Sequence, residues 1–441
     1  MEKIFDAIID DLDMSAHGIA HKDNKTIFVN NALIGEKILC EISKQKQNLI
    51  WAKNLEILSK SADRTKPICP YFFECGGCDL QHLKYQKQLE FKKTQIKLSF
   101  KKICDKTLQD FDVVKSQNEF YYRNKMAMKI SSFGGKKTLC FYQKNSHNEV
   151  QISSCKILNQ KFEIVIDLVN NFLAKCGLDA YDETTKTGTL KHIVARIIDN
   201  KLLLTFVITE NKKMNNIPDL FNNLCSHFDS VGINISINKS NKEILSTNFK
   251  NLIGNNVVSF ENLGIKQQIS NQSFLQVNTL VANKLYEYVT NQISEDIVNA
   301  YSGAGLLSAI IAKKHPKNRV YAIEINNNAT NLANNLKKEN EIQNLQNFCG
   351  DAAEILNSLN LKSFNLVVDP PKSGLDDKMI ETINTFLPKK IVYISCNKIS
   401  LAKNFNKLKN NYEITSIKAF DMFPQTKDVE TVITLEKINK S

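Results

Sequence analysis

From about residue 263 the chain alternates short apolar runs with helix-like segments, and this pattern constrains the fold more than any other feature. The runs are DIVNAY, RVYAIEI, NLVVDPP and KIVYISC, and the segments between them include LLSAIIAKK and ATNLANNLKKEN. Strand-helix alternation of this kind predicts a doubly wound α/β domain around a parallel sheet. In such sheets ligands bind just beyond the carboxyl ends of the strands. The residues that follow each apolar run are therefore the ones to inspect.

The first run ends in Asn299-Ala300-Tyr301-Ser302-Gly303-Ala304-Gly305. Glycines in that turn let the backbone approach a ligand where a helix N-terminus begins. A lone G-x-G is weak evidence, but Glu324 ends the next strand 21 residues after Gly303, placed to accept from ribose hydroxyls. Asp351 and Asp369 fall at further strand ends. Asp369-Pro370-Pro371-Lys372 makes a stiff turn that aims a carboxylate into the cleft. It resembles motif IV of S-adenosylmethionine-dependent methyltransferases that act on bases.

Cys396 follows the fourth run, beside the strand carrying Asp369, and so faces the same cleft. A lone cysteine there is more often a core residue. Downstream, Glu430 stands just before the apolar run TVITL. A methyl donor, a cysteine and a carboxylate together point to C5 methylation of a pyrimidine. Carbon 5 of uracil is a poor nucleophile, and thiolate addition at carbon 6 activates it. A base must then remove the carbon 5 proton so that the thiolate can leave. Cys396 and Glu430 fit these roles.

The rest of the chain is organised differently. Residues 1 to 62 read as short strands of a small β-barrel, with a hairpin turning at Asp23-Asn24. Residues 63 to 262 read as an α+β domain with strand-like runs MAMKI, LCFYQ, HIVARII, LLLTFVI and INISIN. Residues 263 to 441 form the α/β domain. Within the middle region Cys69, Cys75 and Cys78 lie inside ten residues, a thiolate spacing that suits zinc or an iron–sulfur cluster. Cys155 is the best-placed fourth ligand, with Cys104 and Cys140 allowed by counting, and Cys40, Cys176, Cys225 and Cys349 are expected in the core. Residues 84 to 103 predict a helix with seven lysines, either a solvated face or an RNA-facing one.

A net charge of +12 favours a polyanionic partner such as nucleic acid. Only four of the 58 basic residues are arginine, so Lys/Asn-rich genome composition is the competing explanation. The acidic N-terminus is unlike a signal peptide, and no apolar run reaches the ~20 residues of a membrane span. A cytoplasmic monomer without membrane contact is expected.

Over almost its whole length the sequence resembles the bacterial 23S ribosomal RNA (uracil-5-)-methyltransferases that carry a TRAM domain. IDDLDMSAHGIAH, TIFVNNALIGE and SADRTKPICPYF are similar to a TRAM barrel, an OB-like RNA-binding module. CPYFFECGGCDLQH with SSCKIL resembles the family's [4Fe-4S] signature, which implies Cys69, Cys75, Cys78 and Cys155 as ligands. FLQVN resembles the segment whose glutamine, here Gln276, binds the methyl donor, and Tyr301, Glu324, Asp351 and Asp369 match the other donor positions. SCNKISLAKN and DMFPQTKDVE resemble the motifs around the nucleophile and base. FYYRNK with Arg123, and LKHIVAR with His192 and Arg196, resemble stretches that hold RNA. The resemblance implies a Rossmann-like class I methyltransferase domain, S-adenosylmethionine as cofactor and a 23S rRNA uridine as target. Asn299, Ser302, Leu306, Lys372 and Lys398 depart from the family's usual residues without removing a reacting group. The same chemistry on tRNA, and a non-catalytic iron–sulfur RNA-binding protein, are the alternatives.

Overall fold

The computed structural model describes residues 3–240 and 242–438; the terminal residues of the expected barrel and α/β domains, Met1, Glu2 and 439–441, lie outside them. Contacts divide the chain into two compact units, each discontinuous in sequence. One comprises Met1–Gln95, Phe141–Ile152 and Phe423–Asp428; the other comprises Ile96–Cys140, Ser153–Met422 and Val429–Ser441.

The first unit contains a six-stranded, mainly antiparallel sheet. Its strands run in the order Ile4–Ile8, Lys37–Lys46, Leu49–Ser59, Lys25–Val29, Gly18–Lys22, Asp11–Leu12. Alternate side chains such as Phe5, Ile27, Val29, Ile38 and Cys40 bury into one core, as period-2 patterning requires. The hairpin turns where expected, with Asp23 and Asn24 both at positive φ, the conformation of a two-residue turn that matches strand twist. The helix Tyr85–Cys104 begins in this unit, and its Leu89 and Phe91 are buried. Lys92 is also buried, donating to the Phe423 carbonyl at 3.0 Å. Lys87, Lys97 and Lys101 form ion pairs with nearby carboxylates, so much of this basic face is compensated locally.

The second unit holds two large sheets and a two-stranded one, Val258–Asn262 paired with Ile265–Ile269. In the first, strands Lys136–Tyr142, Lys125–Phe133, Leu190–Ile198, Lys201–Ile208, Ser230–Ile237 and Phe249–Gly254 lie side by side, with helices Phe162–Leu173 and Ile217–Cys225. The second sheet has eight strands: Leu345–Cys349, Val320–Glu324, Ile297–Ala300, Asn365–Val368, Lys390–Ser395, Glu430–Lys437, Tyr412–Phe420 and Val113–Val114. The first five are parallel, while Glu430–Lys437 runs antiparallel to its neighbours. Four of them are buried almost without alternation, which is why they read as continuous apolar runs, while the edge strand Leu345–Cys349 is largely open. Strand order reverses between Ile297–Ala300 and Asn365–Val368, and that switch point opens the crevice where ligands bind in this architecture.

Two cysteines depart from expectation: Cys225 and Cys349 are exposed, at a helix end and a strand end, whereas Cys40, Cys104, Cys140 and Cys176 are buried. Apolar neighbours in sequence indicated burial, but an element's last residue escapes the packing that covers its middle.

Candidate active site

Strand register brings the reacting groups together. Ala300 pairs with both Ile323 and Val368, so Tyr301, Glu324 and Asp369 emerge at one level from three adjacent strands. Val368 pairs with Tyr393, which carries Cys396 to the same end. The antiparallel partner enters from that end: Ser395 pairs with Thr431, so the next position along each strand sets Cys396 beside Glu430. A slip of one residue would turn Glu430 to the other face of the sheet.

These side chains share one cleft of about 1380 Å³, whose lining includes Gln276, Tyr301, Glu324, Asp369, Cys396 and Glu430. Asp351 is not part of that lining. It caps the helix Ala352–Ser358 by accepting from the Glu354 N–H at 3.0 Å, and it pairs with Lys378 at 3.1 Å. Burial opposes its charge, but these partners hold its carboxyl below the ordinary range.

The turn after the first strand is strained at Tyr301, a non-glycine residue with φ of 63°. Gly305 precedes the helix Leu306–Lys314 with φ of 84°, and a Cβ there would sit 2.7 Å from the Ala333 Cβ. Glu324 accepts from the Gly303 N–H at 2.9 Å and the Asn326 N–H at 2.8 Å. Those two bonds fix the carboxylate and leave lone pairs for a ligand. Asn299, at a position often acidic in the family it resembles, donates to Ser308 at 2.7 Å, and its amide oxygen is buried without a partner.

Cys396 sits directly before the helix Lys398–Leu408. Asn397 caps this helix by accepting from the Ile399 N–H at 3.0 Å, and its amide donates to the Lys372 carbonyl at 2.9 Å. That bond ties the nucleophile's turn to the turn bearing Asp369. Burial, then the carboxylates of Glu430 and Asp369, push the thiol up to about 11, while Lys372 pulls it down. Burial raises Asp369 to about 7. Each carboxylate close to the thiol disfavours its ionised form. Tyr286, from the helix Thr279–Asn291, also lines the cleft, and its hydroxyl is raised by burial and then by Asp369 and Glu430. The sequence reading missed Tyr286, because a tyrosine inside a helix looks like any core residue.

The proposed metal ligands behave differently. Cys69, Cys75 and Cys78 are half-buried in a turn-rich stretch of the first unit, where Gly76 donates to the Tyr142 carbonyl at 2.9 Å. A Cβ on Gly76 would meet the Lys144 backbone nitrogen at 2.9 Å, so this turn needs its glycine. Cys155 belongs to the other unit and is also half-buried. The soft donor set suits iron or zinc. Among the described residues, however, no three His, Cys, Asp or Glu side chains are gathered to hold a metal ion. Of the three residues tied to RNA, Arg196 is buried, while Arg123 and His192 are half-buried. Burial, then Lys191 and Lys129, lower His192 to about 4.

No helix among the described residues is long and apolar enough to cross a membrane. Residues 84–438 match the family model for tRNA (uracil-5-)-methyltransferase. An RNA methyltransferase of Listeria innocua is 35% identical, covering 97% of this chain and 97% of the relative. One of Clostridium acetobutylicum is 30% identical, covering 99% of this chain and 97% of the relative. The crystal structure of Pyrococcus abyssi tRNA (uracil-54, C5)-methyltransferase with S-adenosyl-L-homocysteine superposes with a TM-score of 0.79. It covers 98% of this chain and 100% of that one, and at 24% identity it shows a common fold. With that fold, and with the family model and relatives spanning most of its length, this chain belongs to the tRNA (uracil-5-)-methyltransferase family.

Proposed function

We propose that the protein forms 5-methyluridine at a specific uridine of 23S rRNA in the cytoplasm, with S-adenosylmethionine as methyl donor. The observation that carries the chemistry is the register that sets Cys396 beside Glu430 within a cleft shared by Tyr301, Glu324 and Asp369. Gln276, Tyr301, Glu324, Asp351 and Asp369 hold the donor. The donor supplies an electrophilic sulfonium methyl and a positive charge beside the acid cluster.

Cys396, its proton released to solvent so that Glu430 stays a free carboxylate, adds as the thiolate to carbon 6 of the uracil, turning the ring into an enolate whose carbon 5 takes the methyl. Glu430 then removes the carbon 5 proton, and the thiolate leaves with the ring's aromaticity restored. The uridine must be splayed out of its loop to reach the thiol.

Cys69, Cys75, Cys78 and Cys155 are proposed to hold a [4Fe-4S] cluster of structural role, and residues 1–62 to act as a TRAM module that adds RNA affinity. Those N-terminal and cysteine motifs favour rRNA. The family description and the substrate of the Pyrococcus abyssi enzyme favour tRNA. Incubation of labelled donor with undermethylated 23S rRNA and with tRNA separates the two, with label expected in the rRNA. Label confined to tRNA would sink the rRNA reading.

A further inference from the structure

Tyr286 lines the cleft and takes no part in the proposed steps. It belongs to the helix Thr279–Asn291, whose start is fixed by Asn278 accepting from the Val281 N–H at 3.4 Å. Val281, Ala282, Leu285 and Val289 bury along this helix, and packing beside them asks only for an aromatic ring. Phenylalanine would fill the space without taking a hydroxyl out of water. Tyr286 is 8% exposed, and its hydroxyl has no hydrogen-bond partner among the described residues. A buried tyrosine ordinarily finds one. Nor is the oxygen sealed within the core, so it opens on the cleft.

Its neighbours set it apart from the other hydroxyls of the cleft. Burial, then Asp376 and Asp351, raise the hydroxyl of Tyr301, which is proposed to hold the methyl donor. Burial, then Asp369 and Glu430, raise that of Tyr286, so it shares the surroundings of the proposed base and keeps its proton near neutral pH. Three serines also reach the cleft, but Ser246 donates to the Ile237 carbonyl at 2.7 Å, and Ser270 and Ser273 bond each other at 3.3 Å. Tyr286 is a neutral donor left open beside two acids.

The proposed chemistry needs such a donor. When the thiolate bonds to carbon 6, the π pair of carbons 5 and 6 moves between carbons 4 and 5, and the carbonyl pair moves onto oxygen 4. That negative charge develops in a cleft already lined by Glu430 and Asp369. A fixed neutral donor stabilises an oxyanion there without adding charge of its own. Carbon 5, whose proton Glu430 removes, is bonded to carbon 4, so a hydroxyl beside Glu430 meets the oxygen 4 edge of the ring; oxygen 2 lies on the far side. We infer that the Tyr286 hydroxyl donates to oxygen 4 of the target uracil and stabilises the enolate formed by Cys396. This rests on the RNA uracil methyltransferase reading. Tyr286 keeps its proton throughout, and the pair returns from oxygen 4 through carbon 5 as that carbon takes the methyl.

Tyr286→Phe in the full-length protein removes one oxygen and keeps the ring. Single-turnover rates are measured on the transcript, 23S rRNA or tRNA, that wild type methylates, made with uridine, 5-fluorouridine or 4-thiouridine. With 5-fluorouridine, carbon 5 carries no proton to remove, so the covalent adduct is trapped and its rate reads only the steps before the base. That rate is expected to fall roughly 10²-fold, as for one lost oxyanion donor. RNA and S-adenosylhomocysteine affinities should stay within about twofold of wild type, since the bond strengthens only as the enolate forms, and they also verify the fold. On 4-thiouridine, whose sulfur is a weak acceptor, the penalty should shrink below about fivefold. Trapping at the wild-type rate, with turnover of ordinary uridine slowed, would place Tyr286 on Glu430 and overturn this role. So would equal penalties on oxygen and sulfur, or affinities lost along with the rate. A wild type that traps no adduct through Cys396 would sink the uracil reading and this role together, whereas a wild type that traps it no faster than Tyr286→Phe would sink the role alone.

Discussion

Cys396 and the trio Cys69, Cys75 and Cys78 are the same residue type in opposite circumstances. Cys396 ends a buried parallel strand, and its place relative to Glu430 and Asp369 is dictated by backbone register. The trio sits on turns tied by local bonds such as Cys75 N–H to the Tyr71 carbonyl at 2.7 Å, and no metal-holding group is gathered among the described residues. Sheets place chemistry whether or not a ligand is present. Thiol turns that hold a metal draw their geometry from it, because binding energy and folding energy are coupled there.

The largest effect should come from removing the nucleophile. Cys396→Ala is expected to lower methylation by at least about 10³-fold, since carbon 5 is left unactivated, while RNA binding is retained. The comparison breaks if the variant keeps substantial turnover, because register would then have placed a bystander. Glu430→Gln follows, with turnover down by roughly 10²–10⁴-fold and a covalent RNA adduct through Cys396 that survives denaturing gels. An adduct that releases as readily as in wild type would remove Glu430 from the role of base.

The thiol turns are tested by the metal itself. Anaerobically purified protein should be brown and contain iron, and Cys78→Ser should lose that iron. If the cluster is structural, methylation of a short RNA should persist within about tenfold in the variant, because the base and nucleophile lie on rigid strand ends. Stoichiometric zinc without iron would replace the cluster. Iron loss that abolishes chemistry on every RNA would erase the contrast between the two regions.

The same contrast explains what could be read in the sequence. The α/β sheet was legible because strands buried on both faces write continuous apolar runs, and their ends mark the cleft. Tyr301, Glu324, Asp369 and Cys396 could be found that way, and Glu430 by its position before TVITL. Asp351 also follows a strand, and it caps a helix and pairs with Lys378, contacts that strand-end logic does not see. Tyr286 escaped because its meaning depends on tertiary neighbours, the carboxylates of Asp369 and Glu430. The segments that make each unit discontinuous could not be located from local pattern either. Gln425, at φ of 70°, accepts from Asp79 and Leu80 with its carbonyl and bonds Gln88 with its side chain, 337 residues away in sequence. Local pattern cannot announce such a return of the chain.

The smallest effect tests whether the crowded acids of the cleft are held at a cost. Asp369 has its carboxyl raised from 3.8 to about 7 by burial, so the native state binds this proton more tightly than the unfolded chain does. The stability linked to that proton is fully present below about pH 4 and is lost as pH rises through about 7. Asp369→Asn mimics the protonated form at every pH. It should therefore raise stability less at pH 5 than at pH 8, by a difference on the order of 1 kcal/mol given the carboxyl's residual contact with solvent. Thermal denaturation of the two proteins at both pH values measures the difference. The substitution also removes a negative neighbour from Cys396, so alkylation of that thiol, followed by peptide mass spectrometry, should reach its half-maximal rate at lower pH than in wild type. A stability difference equal at pH 5 and pH 8, with an unshifted alkylation profile, would mean that Asp369 and Cys396 occupy one cleft without sharing its electrostatic strain.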